Sequence, residues 1–422
     1  MFSQGLSLDQ APPVSVPFRF FLSAPLFGVL LGSLFFFFPF SEISNQYSSV
    51  AIGAIHFFTL GMLSMIIFGA MQQMMPVLAG ATIKKSNLFA WIVHSCLVLG
   101  TLGLSFSFIL GIKMLLHLGV LLLTISFLTF FLVSIRLLFK VEFLTSTVKA
   151  MRLFSLAGFI TAILGIYLAI AHMSSDIGIH HYSIVNLHIL FGLFGFATLL
   201  IMGVSFQIIP MFYVSPDLPK IMQDKAPLLI FILLFVSGIF LIFDINFFVL
   251  KVIFVAILST FAFYALKSLN NRRRPVFDVT LWYWKLSLLM LIVSMVLWLI
   301  NPFESNFLLA ITFLLGFLYS LLQGMVYKII PFLAWFHLSS KGYFQLPTIR
   351  EFIEEKNIKY QFYFHCFSLL FFVLSIFINS SILIAAFLFI CSNILFFINC
   401  LVGIKKYAKI AKTDPMDMSA FK

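Results

Sequence analysis

Histidine is the residue type in this sequence best suited to chemistry, and the nine histidines are unevenly distributed along the chain. His56 and His188 stand out because each lies in a long apolar segment and precedes a repeated glycine-containing motif, by 13 and 15 residues. Imidazole is a common ligand of haem iron and of copper. Two inward-facing imidazoles at matching depth could therefore bind one copper ion or one haem. The alternative is that each ring forms a hydrogen bond to a neighbouring helix.

Four further histidines are candidates for the same site because we expect them on the same side of the membrane: His117, His172, His180 and His181. His117 and His172 would surround the metal ligands or replace one of them. His180 and His181 follow a polar stretch and are the weaker candidates, since histidines in exposed loops are more often solvated than bound to metal. The other three histidines, His94, His337 and His365, fall toward the opposite side.

The elements that must position these histidines are transmembrane helices. Hydrophobic residues make up 62% of the chain and charged residues only 9%, and the mean hydropathy is +1.13. A chain with so little polar surface cannot face water, and a bilayer-spanning helix needs about 20 apolar residues. Long continuous runs favour helices over a barrel. Twelve spans are predicted, at residues 18–40, 50–80, 88–110, 114–135, 149–172, 184–212, 226–243, 247–266, 280–300, 307–336, 362–378 and 381–402.

The basic residues predict the orientation of these spans. Of the 26 lysines and arginines, 23 lie in the tails or in every second loop, whereas only Lys113 and Lys251 lie on the opposite side. This asymmetry predicts a protein of the bacterial cytoplasmic membrane with both termini in the cytoplasm. The net charge of +12 is then a topology signal, which points to membrane lipid and not to nucleic acid as the partner. Lys328 lies within a span, where we expect it to reach the interface or pair with helix carbonyls.

One motif occurs three times, with the form glycine, three residues, glutamine or lysine, two residues, proline. The copies are at residues 69–76, 203–210 and 324–331, at the cytoplasmic ends of the second, sixth and tenth predicted spans. They predict three parallel four-helix repeats, about 18–140, 141–270 and 271–402, around a pseudo-threefold axis. These repeats form one membrane domain, 18–402, between tails at 1–17 and 403–422. The motif also has a simpler explanation, because glycine permits close helix contact and proline ends helices.

This arrangement resembles subunit I of the haem–copper oxidases, in which twelve helices form three four-helix units with histidines on the second and sixth helices. The local sequence is more similar to the related NnrS-type haem–copper membrane proteins. The motifs that carry this similarity are Pro17-Phe-Arg-Phe-Phe-Leu22 and the stretch from His56 through Gly69 to Pro76-Val-Leu-Ala-Gly80. The resemblance implies haem or copper as the cofactor, with His56 and His188 as ligands.

The sequence departs from the oxidase pattern because the tenth span lacks paired histidines near its periplasmic end and the seventh lacks an adjacent pair. We therefore expect a haem- or copper-binding relative that functions in redox, nitric-oxide or metal handling, with a periplasmic electron-transfer or metal-donor partner, and not a full respiratory oxidase. A secondary transporter or permease is the alternative, since such proteins also contain repeats and proline-interrupted helices. A membrane assembly factor without metal is a third possibility.

Reporter fusions test the predicted topology. Fusions made after Lys85, Arg152, Arg274 and Lys422 should all report a cytoplasmic location, because each follows a basic loop or tail. A reporter that is active only in the periplasm provides the complementary control when it is fused after Lys113. Periplasmic activity at any of the first four positions would show that the number of spans before that position is wrong.

Overall fold

Long helices dominate the computed structural model, which describes residues 11–174, 178–300, 306–343, 346–413 and 415. Within these ranges there is no strand, and twelve helices have at least twenty residues. In chain order they are α1 Ser15–Phe37, α2 Ser49–Ala79, α3 Ser86–Leu110, α4 Lys113–Leu138, α5 Ser146–Ser174, α6 His181–Tyr213, α7 Lys220–Ile242, α8 Phe248–Asn270, α9 Val279–Ile300, α10 Asn306–Ser340, α11 Glu355–Leu374 and α12 Ser381–Ile410.

Eleven of these helices, all except α11, are long and apolar enough to cross a membrane, so the chain is an all-helical, multi-pass membrane protein. The helix α11 is less apolar because its first two turns carry Glu355, Lys356 and Lys359. It begins seven residues before the span predicted at 362–378. The helix α12 continues to Ile410, beyond the predicted start of the C-terminal tail at 403. These polar helix ends extend past the apolar stretch, and hydropathy alone does not detect them.

Three of the helices are much more buried than the others. In the most apolar 18 residues of α2, α6 and α10, 72%, 83% and 78% are buried, whereas the other spanning helices range from 28% to 56%. A buried helix with no polar face must be surrounded by other helices. The helices α2, α6 and α10 therefore form the interior of the bundle, and the remaining helices form its wall and expose apolar side chains such as Leu121, Phe235 and Phe387.

The wall helices form a closed ring. Helix α4 packs against α5, α8 packs against α9, and α12 packs against α1. When the twelve helices are counted in groups of four from α1, each of these contacts joins the last helix of one group to the first helix of another. The three interior helices surround an apolar cavity of about 40 Å³. Its lining includes Ile66 and Ala70 from α2, Ile201 and Val204 from α6, and Leu322 and Met325 from α10.

Each interior helix contains one π-helical segment: Phe57–Ser64 in α2, Phe191–Thr198 in α6 and Ile311–Tyr319 in α10. A hydroxyl at the end of each segment donates a hydrogen bond to the carbonyl five residues earlier. The donors are Ser64, Thr198 and Ser320, at 2.7, 2.7 and 3.0 Å. π-Helical turns are rare and often occur at functional sites. The sequence analysis did not predict them.

The three repeat glycines make equivalent close contacts with the first helix of their own group. A Cβ added to Gly69 would lie 2.7 Å from Phe20 Cβ on α1, and one added to Gly324 would lie 2.6 Å from Tyr283 Cβ on α9. At Gly203 the added Cβ would overlap Ala150 Cβ on α5. Glycine therefore permits close helix contact, as expected. The motif prolines do not end their helices, since α2, α6 and α10 continue to Ala79, Tyr213 and Ser340.

Lys328, in the third copy of the motif, is paired, and its partner is an acidic side chain that the sequence analysis did not name. Its ammonium group donates to the carboxylate of Asp278, which directly precedes α9. The same ammonium lies 5.2 Å from the ring centre of Tyr213 on α6. Asp278 also accepts a hydrogen bond of 2.6 Å from Thr280, whose hydroxyl contacts the Tyr213 hydroxyl at 2.8 Å. The pair thus joins α6, α9 and α10.

Replacement of Gly203 tests the packing of α6 on α5. Gly203→Ala should lower the free energy of unfolding in detergent by about 1–3 kcal/mol, because the new methyl overlaps Ala150. Combination with Ala150→Gly should restore most of the loss, since this change removes the overlapping atom.

The matched control for this experiment is Gly192→Ala on the same helix. A Cβ at Gly192 would meet only Thr161 Cγ2, at an ordinary distance of 3.4 Å. This variant should unfold like the unaltered protein. If Gly203→Ala were as stable as this control, the contact of α6 with α5 would be looser than described.

Candidate functional site

His56 lies on α2 directly before its π-helical segment. The ring is partly buried, and its Nδ1 is 2.7 Å from the carbonyl oxygen of Ile52, one turn earlier on the helix. The ring stacks on Phe108 of α3, with ring centres 6.5 Å apart and an angle of 9° between the planes. A backbone hydrogen bond and a stacked aromatic ring thus fix the orientation of this imidazole.

His188 lies on α6, three residues before the π-helical segment of that helix. Its Nδ1 is 3.1 Å from the carbonyl oxygen of Thr161 on α5. The Thr161 hydroxyl donates to Ala157 O on the same helix, at 2.8 Å. Gly165, one turn later on α5, provides the space for the ring, because a Cβ there would lie 3.0 Å from His188 Cε1. The imidazole is held between two helices.

The hydrogen bonds of both rings determine which nitrogen is free. A carbonyl oxygen only accepts, so Nδ1 of His56 and of His188 must carry the proton. A neutral ring is favoured inside a bilayer, where an uncompensated charge is costly. Nε2 then has a lone pair, and neither Nε2 forms a hydrogen bond to any residue that the structure describes. This is the usual arrangement of metal-binding histidines, in which the second nitrogen donates to a backbone carbonyl or a carboxylate.

His56 and His188 occupy comparable places on two of the interior helices, directly before the π-helical segment of α2 and three residues before that of α6. His172, near the end of α5, packs against the same phenylalanine as His56, with its ring centre 5.0 Å from that of Phe108. His172 is exposed, and no described contact joins it directly to His56 or His188.

The other three candidate histidines are not joined to the pair by any described contact. His117 is exposed in the second turn of α4, where its Nδ1 bonds to Lys113 O at 2.7 Å. His180 is exposed just before α6. His181 is the first residue of α6, and its ring packs against Tyr182 at 5.9 Å. The predicted polar loop before His180 includes residues 175–177, which lie outside the described residues.

Three features of this region escaped the sequence analysis. One is the π-helical geometry beside His56 and His188, and the others are the Phe108 ring and the pocket formed by Thr161 and Gly165. The threonine–glycine spacing of four residues on α5 was visible as a small and polar stripe. Thr161 and Gly165 face His188 only because of how α5 is rotated against α6. That rotation cannot be predicted from the spacing of residues in one sequence. No group of three or more histidine, cysteine, aspartate or glutamate side chains within the described ranges could hold a metal ion.

Comparison with known proteins adds no further evidence on this site, since no protein-family model matches the chain and no curated protein matches it.

Proposed function

We propose that the twelve long helices are three four-helix repeats in parallel orientation around a pseudo-threefold axis, in an arrangement like that of haem–copper oxidase subunit I. The wall contacts support this arrangement, because α4–α5, α8–α9 and α12–α1 are equivalent junctions between consecutive repeats. So do the three π-helical segments, their terminal hydroxyls and the glycine contacts, which recur at corresponding positions of α2, α6 and α10. The basic loops and both termini then face the cytoplasm.

We further propose that His56 and His188 together bind haem iron or copper in the half of the membrane opposite the basic loops. This proposal depends on one observation, which is that both imidazole rings form the same kind of hydrogen bond. Each Nδ1 is bound to a backbone carbonyl, at 2.7 and 3.1 Å, so each ring retains a free Nε2 lone pair. Two neutral imidazoles suit either metal, and bound iron or copper would supply one-electron redox chemistry.

The residues around the pair keep it in place for this role. Ile52 and Thr161 fix the ring orientation through their carbonyl oxygens, and a donor to a carbonyl is also a better metal ligand. Phe108 covers one face of His56. The π-helical turns begin directly after His56 and three residues after His188 and change the direction of the following side chains; such turns often occur at functional sites. The protein would act in redox, nitric-oxide or metal handling at the membrane, with electrons or metal delivered on the side opposite the basic loops.

Purification from cells supplied with haem and copper tests the metal site. The unaltered protein should show either a haem Soret band or about one copper per chain. His56→Ala and His188→Ala should each lower that signal at least about tenfold, because even the loss of a group that only orients a metal ligand costs about 10- to 100-fold in metal affinity. Absorption spectra and elemental analysis of the folded proteins provide the measurement.

His117→Ala is the matched control, because His117 has the same Nδ1–carbonyl bond but lies away from the pair. It should retain the full signal. A folded, colourless and copper-free preparation of the unaltered protein would contradict the metal proposal and would favour the transporter interpretation. Equal loss in the His117 variant would show that the signal does not report on the pair.

A further inference from the structure

The four helices α9–α12 enclose a cluster of polar side chains that the proposed metal site does not use. The cluster comprises Tyr283 on α9, Tyr319, Ser320, Gln323 and Tyr327 on α10, Gln361 and His365 on α11, and Ser392, Asn393 and Asn399 on α12, and every member is less than 5% exposed. All these side chains are uncharged in their ordinary state. Buried polar groups inside a membrane bundle are costly unless they are paired, and they often mark functional sites.

Five of the ten members form a continuous hydrogen-bonded chain, in which the Tyr283 hydroxyl also donates to Gln361 Oε1. The Asn399 amide donates to Asn357 O at 3.3 Å and to the Tyr327 hydroxyl at 3.0 Å. The Tyr327 hydroxyl donates to Gln361 Oε1 at 3.3 Å, and Gln361 Nε2 donates to Ser392 Oγ at 2.8 Å. Asn357 is partly exposed in the first turn of α11, so the chain begins near the bundle end that carries the basic loops.

The chain leads toward two side chains with buried polar atoms that lack partners. His365 follows Gln361 by one helical turn on α11, and Gln323 follows Tyr319 by one turn on α10. His365 Nδ1 and both polar atoms of the Gln323 amide are buried and form no hydrogen bond among the described residues. An unpartnered buried polar atom costs about 1–3 kcal/mol, so these three atoms call for a bound guest.

The hydrogen-bond roles around His365 define the chemistry of that guest. The Ser320 hydroxyl donates its one hydrogen to Leu315 O, at 3.0 Å, so it accepts from His365 Nε2 at 2.7 Å. Nδ1 of the neutral ring is then an acceptor, while the Gln323 amide offers both a donor and an acceptor. A guest that both donates and accepts, carries no charge and is very small fits these groups. Water meets all three conditions, with the two to four polar partners that buried water requires.

The opposite end of the polar core is closed by aromatic side chains. Two turns beyond His365, the ring of Phe372 packs against Phe389 with centres 5.9 Å apart and against Phe35 at 5.3 Å. All three rings are buried. Beyond His365, the buried hydroxyls of Ser368, Ser375 and Ser381 donate to backbone carbonyls. Among the described residues, side-chain hydrogen bonds therefore lead from the His365 region toward the basic end, over eight residues of α11 or about 12 Å along the helix.

We propose that the α9–α12 core is a one-sided hydrated site, in which water bound by His365, Gln323 and Tyr319 in the interior of the bundle exchanges with the basic end. Its ligands are water and small uncharged hydrophilic molecules that follow the same path. The site is distinct from the His56–His188 pair, which lies on α2 and α6.

Cysteine accessibility tests this proposal. In a background with Cys96, Cys366, Cys391 and Cys400 replaced by serine, Gln323→Cys should react with a small hydrophilic methanethiosulfonate reagent in membrane vesicles. The reaction needs thiolate, which forms only where water is present. The matched control is Leu322→Cys, the next residue on α10, which faces the apolar central cavity. The rate at position 323 should exceed that at 322 by at least about tenfold, and should be faster when the reagent is on the basic side.

Ser320→Cys, with Leu321→Cys as its control, provides a second comparison if Gln323→Cys does not fold. Serine and cysteine differ little in size, and Leu321 also lines the central cavity. Folding is checked by gel filtration before labelling. Equal rates at 323 and 322, or at 320 and 321, would show a dry core and overturn the proposal. A faster reaction when the reagent is on the side opposite the basic loops would show that the site opens toward that side, which would contradict the proposal.

Discussion

Polar groups inside a bilayer that water does not reach must find a partner within the protein. This constraint explains much of the side-chain geometry of the bundle. Serines in the helices, such as Ser155, Ser205 and Ser237, donate to the carbonyl one turn earlier on their own helix. The same constraint pairs Lys328 with Asp278 and binds the Nδ1 atoms of His56 and His188 to backbone carbonyls. The free Nε2 atoms that we assign to a metal are therefore a consequence of how these rings satisfy the constraint.

The interior helices connect packing with the candidate sites. Because lipid is as apolar as the helices, association in the membrane depends on close contact at small residues. Gly69, Gly203 and Gly324 provide that contact against the first helix of each group. The π-helical segments precede these glycines, and the histidine pair precedes two of the segments. The third interior helix has no histidine at the corresponding place. Its group of helices instead contains the polar core around His365, which suggests that the third group has a separate role.

The sequence was informative about the class of fold and much less so about the sites. Apolar runs of about 20 residues predicted an all-helical membrane protein, and this prediction is confirmed, because hydropathy directly reflects the solvent around a helix. Most helix ends were predicted within a few residues. The start of α11 was wrong by seven because Glu355, Lys356 and Lys359 extend the helix beyond its apolar part. The acidic partner of Lys328 was not predicted, since Asp278 is 50 residues away in the chain and the pairing depends on tertiary structure.

For the candidate metal site, residue type and spacing identified His56 and His188 but not the groups that orient them. Phe108 and Thr161 come from other helices, and their positions depend on the rotation of α3 and α5. In the sequence, the residues of the α9–α12 polar core are single polar residues within apolar segments, and nothing indicates that they contact one another. Its continuity appears once α10, α11 and α12 are placed side by side. A hydropathy average hides such residues, because one tyrosine or asparagine changes the mean of an 18-residue window very little.

The central claim is that the Nε2 atoms of His56 and His188 bind one metal. X-ray absorption spectroscopy of the purified protein, at the iron or copper edge, measures the ligands directly. The account predicts two imidazole nitrogens at about 2 Å from the metal, with one of them lost in His56→Ala and in His188→Ala. A spectrum that is unchanged in both variants, or one without imidazole nitrogen around the metal, would contradict it.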